Sequence, residues 1–269
     1  NEMNRLETVM LLSLLMVFSA CEKVVQIPLN ETEPQIVVEA VAKSLTGQSY
    51  ILLSRSISSY DTSYDFEQLT GASVTVSEPS GGGVVFEEDP MVVGRYIHPA
   101  FEVLPNTNYS LKVSYKDQVL EATSRSMTAP QIDSFFVYQN IGGPGQNPDD
   151  TTNVLIYTVS DNPDEKNYYR FVLWINGVKE NTIFIETDDL GNGETYTSPF
   201  FGMSFDSQDT VYAELWSMNV QSYDYFSALY TNLNQSPFSA APADPPSNIE
   251  NGIGYFGAFM MDTTSIIIP

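Results

Sequence analysis

Cysteine, histidine and basic residues are scarce in this 269-residue sequence, and each shortage excludes a class of function. One cysteine cannot form an internal disulfide or a two-cysteine zinc site, and one histidine excludes zinc sites built from several histidines. Eleven Lys and Arg residues against 34 Asp and Glu give a formal net charge of -23. Because nucleic acids and anionic lipid headgroups are bound through clustered basic residues, we expect neither as a partner.

The apolar run near the start of the chain, residues 9–18, is too short to span a bilayer. It has the length of a signal-peptide core, and Ser19, Ala20 and Cys21 follow it. The stretch Phe18-Ser19-Ala20-Cys21 resembles a bacterial lipobox, whose cysteine becomes the first mature residue and carries the lipid. We therefore expect a signal peptide at residues 1–20, lipidation of Cys21 and a lipidated tether at residues 21–34. A buried structural cysteine in an N-terminal helix is the alternative.

Short apolar and β-branched runs separated by Gly, Pro and Asn indicate strands along the rest of the chain. They predict a mainly β protein of two β-sandwich, immunoglobulin-like modules, an N-terminal sandwich at residues 35–129 and a C-terminal β-rich domain at residues 132–269. The predicted strands are residues 35–41, 49–55, 72–78, 84–87, 94–103, 108–115, 118–125, 132–138, 153–159, 167–175, 182–187 and 210–216.

One short amphipathic helix is predicted near the C-terminus, at residues 222–234. Ser222 is a suitable N-cap, and Asp224 falls in the predicted first turn, where a negative charge is favourable. One face of this helix collects large apolar residues, which we interpret as core contact in preference to a ligand platform. These residues are Tyr223, Phe226, Tyr230 and Leu233.

A loop between two predicted strands has the composition of a calcium site. Residues 188–194 combine oxygen ligands with turn glycines, as Ca²⁺ prefers, without the full spacing of an EF-hand. The candidate ligands are Asp188, Asp189, Asn192 and Glu194. The favoured alternative is a hairpin tip with Asn192-Gly193 as the turn and solvated acids. No other cofactor is expected.

Catalytic patterns are weak in this sequence. A Ser-His-Asp catalytic triad would have to use His98. This residue lies at a predicted strand end, and we interpret its role as structural. A pair of carboxylates for glycoside hydrolysis is a minor alternative, because 34 acids always offer pairs. Four aromatic residues in polar stretches could stack on a ligand, but each could equally cap a core, so no ligand contact is assigned. They are Tyr60, Tyr64, Phe66 and Tyr196.

The segment that follows the predicted helix is the most distinctive part of the chain. Its glycines permit tight turns and close backbone approach, and Asn251-Gly252 is a strong turn signal. The residues Ser247-Asn248-Ile249, Asn251-Gly252-Ile253-Gly254-Tyr255-Phe256-Gly257-Ala258, Gly71-Ala72, Val74, Val76 and Asp164-Glu165-Lys166-Asn167-Tyr168-Tyr169-Arg170-Phe171 carry a family resemblance. The chain resembles a Bacteroidota outer-membrane lipoprotein family, domain of unknown function 4249.

The resemblance implies a non-enzymatic lipoprotein encoded beside a TonB-dependent receptor. It favours an accessory or binding component of nutrient uptake, with a peptide, glycan or other small nutrient as the unidentified ligand. A self-standing, adhesin-like stalk of β modules is the alternative, and it requires no transporter partner. We expect a lipid anchor in the outer membrane, with the cell surface preferred to the periplasmic face.

Overall fold

Fifteen β-strands and one α-helix make up the part of the chain that the structure describes. The computed structural model describes residues 33–57, 65–141, 151–189, 191–234 and 244–269. Apart from Glu33, these residues belong to one compact unit. The elements are β1 (Ile36–Lys43), β2 (Tyr50–Arg55), β3 (Ser73–Ser77), β4 (Val84–Glu88), β5 (Arg95–Ile97), β6 (Asn108–Tyr115), β7 (Gln118–Arg125), β8 (Gln131–Ile141), β9 (Thr151–Ser160), β10 (Tyr168–Ile175), β11 (Val178–Lys179), β12 (Phe184–Thr187), β13 (Thr195–Pro199), β14 (Thr210–Met218), α1 (Val220–Leu233) and β15 (Ile253–Ile267).

The strands form a twelve-stranded sheet and a three-stranded sheet. The large sheet has the order β11-β10-β14-β15-β1-β2-β5-β4-β3-β6-β7, with β12 paired to β10 beside β11. The small sheet has the order β13-β9-β8. Among the described strands, β1 and β15 form the one parallel pair. The predicted class, mainly β with one short helix near the C-terminus, is confirmed.

The large sheet curves, so that its two halves share one core. Val38 of β1 and Phe256 of β15 lie in the same buried cluster as Val74 of β3 and Val113 of β6. A second cluster joins the small sheet to the other end of the large sheet, where Leu155 of β9 meets residues of β10 and β14. Alternating apolar residues on each strand supply both cores, as a half-buried sheet requires.

Three parts of the strand prediction were wrong. The predicted strand at residues 94–103 is only β5, because Pro99 and Ala100 form a turn directly after it. The short strands β11 and β13 were not predicted. The final segment, for which no strand was predicted, is a fifteen-residue strand after the confirmed turn at Asn251, whose φ is 63°.

Glycines allow β15 to lie in the centre of the large sheet. Gly254 has a φ of +114°, and a Cβ there would be 2.0 Å from the carbonyl oxygen of Val38 on β1. A Cβ at Gly257 would be 2.1 Å from the ring of Phe259. These positions need glycine because the neighbouring strand or ring occupies the space of a side chain.

The helix α1 begins at Val220, and its N-cap is Asn219, whose side chain accepts a hydrogen bond from the amide of Ser222. The predicted N-cap at Ser222 was therefore wrong, and Asp224 lies beyond the first turn. Of the predicted apolar face, Phe226 is buried, whereas Tyr230 and Leu233 are 45% and 71% exposed. The last turns of the helix extend past the sheet, so its contacts with the core come from Phe226 and neighbouring residues.

The free side of β7 is covered by the segment that precedes β15. The amide of Glu250 donates to the carbonyl of Glu121, and the side chain of Asn248 donates to the carbonyl of Thr123. The side chain of Asn251 donates to the carbonyl of Val119. We call this side of β7 the capped edge, because alternate carbonyls along it already have donors.

In the part of the chain that the structure describes, no helix has both the length and the apolar character needed to cross a membrane.

Candidate functional site

Several predicted sites lie outside the described residues. These are the signal segment 1–20, the lipidation site Cys21, most of the tether, and the aromatic candidates Tyr60 and Tyr64. Lipidation of Cys21 stays a prediction.

The loop predicted to bind calcium uses its first two acids in local contacts. The carboxylate of Asp188 accepts a hydrogen bond of 2.9 Å from the amide of Asn167. Asp189 accepts from Lys166 Nζ at 2.6 Å and from Thr187 Oγ1 at 2.8 Å, and these hydrogen bonds lower the pKa of Asp189. Among the described residues, no three His, Cys, Asp or Glu side chains are grouped so as to hold a metal ion. The calcium site at Asp188, Asp189, Asn192 and Glu194 stays a prediction.

His98 has structural contacts, whereas the two described aromatic candidates, Phe66 and Tyr196, differ in their burial. The Nδ1 atom of His98 accepts a hydrogen bond from the amide of Ala100, and its ring lies 6.0 Å from that of Phe86. Phe66 is 45% exposed. Tyr196 is half-buried, and burial raises the pKa of its hydroxyl, which has no hydrogen-bond partner among the described residues.

A groove of about 490 Å³ lies between β12, α1 and the loop after β13. We call it the aromatic groove, because six aromatic residues contribute to its walls. Phe201 is 77% exposed on one wall, and Tyr230 is 45% exposed on the helix. The lining residues are Tyr157, Thr182, Ile183, Phe184, Ile185, Glu186, Pro199, Phe200, Phe201, Tyr223, Ser227, Tyr230 and Thr231.

The aromatic groove follows the free side of β12. Successive side chains of a strand point to opposite faces, so a groove on one face would contact alternate residues only. Here five consecutive residues, 182–186, line the groove, so the groove borders the side of the strand and not one of its faces. Phe184 packs with the small sheet, and Ile185 packs with the cluster beneath the helix. Among the described strands β12 pairs with β10 alone, and we call its other side the open edge.

The groove has a negative polar group and no positive one. Of the described residues that line it, Glu186 alone carries a charge. The hydroxyl of Tyr157 donates a hydrogen bond of 2.9 Å to Oε1 of Glu186. Burial raises the pKa of Tyr157, with the nearby Glu186 as a second cause, so this hydroxyl stays protonated and remains a donor at neutral pH. The chemistry suits a neutral or positively charged ligand with an apolar surface.

Charged residues beneath α1 fix the helical wall of the groove. The guanidinium carbon of Arg170 lies 3.8 Å from the ring centre of Phe226 and 5.0 Å from that of Trp216. Lys43 forms a buried ion pair of 2.9 Å with Glu214, which also accepts from the indole of Trp216. Cation–π contacts of this kind hold the helix on the sheet.

Arg170 has one unusual atom. Its Nε is buried and has no hydrogen-bond partner in the part of the chain that the structure describes, and burial lowers the pKa of its guanidinium. The rings of Phe226 and Trp216 therefore provide its contacts in place of a hydrogen-bond acceptor.

Two further cavities have volumes of about 480 and 500 Å³. The first lies beside the N-terminal turns of α1 and the second lies against β6 and β7. Both include Asn248 and Glu250, which form the capped edge. The aromatic groove is the better ligand site, because exposed rings and a free strand edge converge on it.

The sequence did not reveal this groove, because its walls come from four separate segments of the chain. The adjacent pair Phe200-Phe201 in a polar stretch was a local signal that could have indicated an exposed ring. Nothing local indicates that the open edge would lie beside Tyr230 on the helix.

A family model described as Domain of unknown function (DUF4249) matches residues 22–265. Among curated proteins, none matches the chain. Among solved structures, the chain is similar to the FN1–FN3 domains of chicken CNTN1, with 14% sequence identity and a TM-score of 0.24. That match covers 86% of this chain and 65% of the CNTN1 chain.

Proposed function

Because the chain belongs to the DUF4249 family, we propose that it is a non-catalytic binding component of a TonB-dependent nutrient uptake system. In this proposal a lipid on Cys21 anchors it in the outer membrane, at the cell surface. The family match begins at residue 22, directly after Cys21, and this supports the proposed position of the anchor. The link to a TonB-dependent receptor rests on the family resemblance.

The aromatic groove is the observation that supports a binding role. Exposed rings at Phe201 and Tyr230 offer flat apolar surfaces, and Glu186 and Tyr157 offer a few oriented polar groups. Small-molecule and peptide sites typically combine these features. A glycosidase needs two carboxyl groups facing one cleft, whereas the described lining of this groove contains one.

The partner is tested by isolating the full-length, tagged protein from its native outer membrane in mild detergent. We expect mass spectrometry to find a TonB-dependent barrel in stoichiometric amount. Recovery of the lipoprotein alone would contradict the accessory role and favour the adhesin-like stalk. A double variant, Phe201→Ala with Tyr230→Ala, is the matched control: it should retain the barrel, because a ligand groove is separate from the receptor contact.

The anchor is tested by Cys21→Ser. We expect this variant to be unprocessed or released from the membrane, because no lipid can be attached at serine. Membrane-bound Cys21→Ser protein whose signal segment is cleaved elsewhere would refute the anchor.

A further inference from the structure

The outer strands at the two ends of the large sheet differ in how their free main-chain groups are bonded. At the capped edge, three alternate carbonyls of β7 accept hydrogen bonds from residues 248–251. At the open edge, no described residue forms a hydrogen bond with the main chain of Phe184, Ile185 or Glu186 except through the ladder with β10. The outward-facing amides and carbonyls of β12 therefore lie free along the aromatic groove.

We propose that the aromatic groove binds an extended peptide, which adds to β12 as a further strand. This inference rests on the binding role proposed above and names the class of its ligand. A free strand edge offers amides and carbonyls with the spacing of a peptide main chain, and peptide-binding domains use such edges in this way. A glycan has no matching row of amides.

The walls of the groove limit what can reach this edge. α1 lies on one side and the loop with Phe201 on the other, so a single extended chain fits where a second sheet would not. β12 has four residues, and the five lining residues 182–186 correspond to an extended peptide of roughly 16 Å at 3.3 Å per residue. The recognised segment is therefore about five residues long.

Charge determines which peptides are favoured. Glu186 is the charged group of the described lining, and the whole chain has a net charge of -23. A peptide with Lys or Arg beside apolar residues is attracted by this field and can form a charge-assisted hydrogen bond with Glu186. Its apolar side chains would contact Phe201 and Tyr230.

The experiment is selection of a randomised pentapeptide library displayed on phage, against the full-length protein purified in mild detergent. The double variant Phe201→Ala with Tyr230→Ala is selected in parallel, since both rings are exposed and their removal leaves the cores intact. We expect enrichment of basic and apolar pentapeptides on the wild type and not on the variant. Equal results for the two proteins would overturn the proposal.

Enriched peptides are then synthesised with single N-methyl groups and titrated by fluorescence anisotropy. Strand addition predicts that methylation of alternate amides weakens binding by about tenfold or more, while methylation of the amides between them has little effect. Uniform tolerance of N-methylation would overturn strand addition. Glu186→Gln should weaken the basic peptides by about threefold to tenfold and leave neutral peptides unchanged.

Hydrogen exchange supplies an independent readout. A bound peptide should slow exchange of amides in β12 and leave those of β7 unchanged, because the capped edge is already bonded. Binding of maltoheptaose in the groove, without binding of any pentapeptide, would overturn the peptide class while leaving a binding role intact. The receptor pull-down is a separate measurement, so the two proposals can fail independently.

Discussion

The capped edge and the open edge lie at opposite ends of the same sheet. One is covered by another segment of the chain, and the other borders a groove. β7 is eight residues long, and three of its carbonyls accept hydrogen bonds from the segment before β15. β12 is four residues long and borders a groove. A long free edge invites pairing with other chains, so covering it prevents aggregation. A short edge between two walls can stay accessible at less risk, which makes it suitable for selective binding.

Alkaline pH should have the largest effect on stability, because the region near the open edge contains six of the nine described tyrosines whose pKa is raised. Unfolded tyrosines release their protons near pH 10, whereas burial keeps these protonated to higher pH, so the native state binds more protons and stability falls as pH rises above about 10. Burial raises the pKa of Tyr225 to about 12. The tyrosines with raised pKa values around the groove and helix are Tyr50, Tyr157, Tyr169, Tyr196, Tyr225 and Tyr255.

The measurement is tyrosinate absorbance recorded together with circular dichroism from pH 8 to pH 13. We expect most of the tyrosinate signal to appear with cooperative loss of structure. Lys43 acts in the opposite sense, since burial lowers its pKa and stability rises as pH approaches 10.5, but one lysine is opposed by six tyrosines. A native spectrum after all tyrosines have ionised would contradict this prediction.

Phe226→Ala should cause the next largest loss of stability, and its local effects should be confined to the region of the open edge. Phe226 is buried beneath α1 and contacts Arg170 and Tyr255. Its loss leaves a cavity and should lower the free energy of unfolding by about 3 to 5 kcal/mol, measured by urea denaturation. Hydrogen exchange should quicken in α1 and β12 more than in β7. Leu233→Ala, at a site that is 71% exposed, is the control and should change stability by less than about 0.5 kcal/mol.

Asn248→Ala should weaken the capped edge. The Asn248 side chain donates to the carbonyls of Thr123 and Phe256 and accepts from the amide of Phe256, so three hydrogen bonds are lost. We expect a loss of about 3 kcal/mol in the free energy of unfolding. Sedimentation should also detect self-association through the uncovered β7. Asn108→Ala, an exposed change on β6, is the control, and equal stability of the two variants would disprove a capping role for Asn248.

Substitution of Asn251 should cause the smallest loss of stability. Two variants separate the contribution of its side-chain hydrogen bond from that of its backbone conformation. Its side chain makes one hydrogen bond to the capped edge, and its φ of 63° favours glycine. Asn251→Gly removes the bond alone and should cost at most about 1 kcal/mol. Asn251→Ala adds the cost of the left-handed conformation and should be about 1 kcal/mol less stable than the glycine variant. Identical denaturation midpoints would show that conformation does not matter there.

Local sequence patterns predicted the strands that form hairpins. The bounds of β6 and β7 match the prediction residue for residue. Apolar and polar residues alternate strictly in β6, and a turn at Lys116, whose φ is 52°, leads directly into β7. In such hairpins the pairing partner is adjacent in sequence, so the pattern contains the information needed.

Long-range pairing and the groove could not be predicted in this way. β15 was not predicted as a strand. Gly254 and Gly257 interrupt its apolar pattern, and glycine is needed at these positions because a neighbouring strand or ring occupies the space of a side chain. Val37 pairs with Ile253 from the opposite end of the described chain, and no local pattern encodes that contact. The groove depends on the same kind of contact between distant segments.

The central position of β15 also sets the order in which the molecule can be completed. β15 lies between β1 and β14, so the large sheet remains two separate pieces until Ile253–Ile267 has been synthesised. Pairing of such distant segments closes a long loop and is slow compared with hairpin formation. The two pieces of the large sheet therefore stay apart until β15 is made, and the pairing of β15 with β1 and β14 is the step that commits the sheet to its folded form.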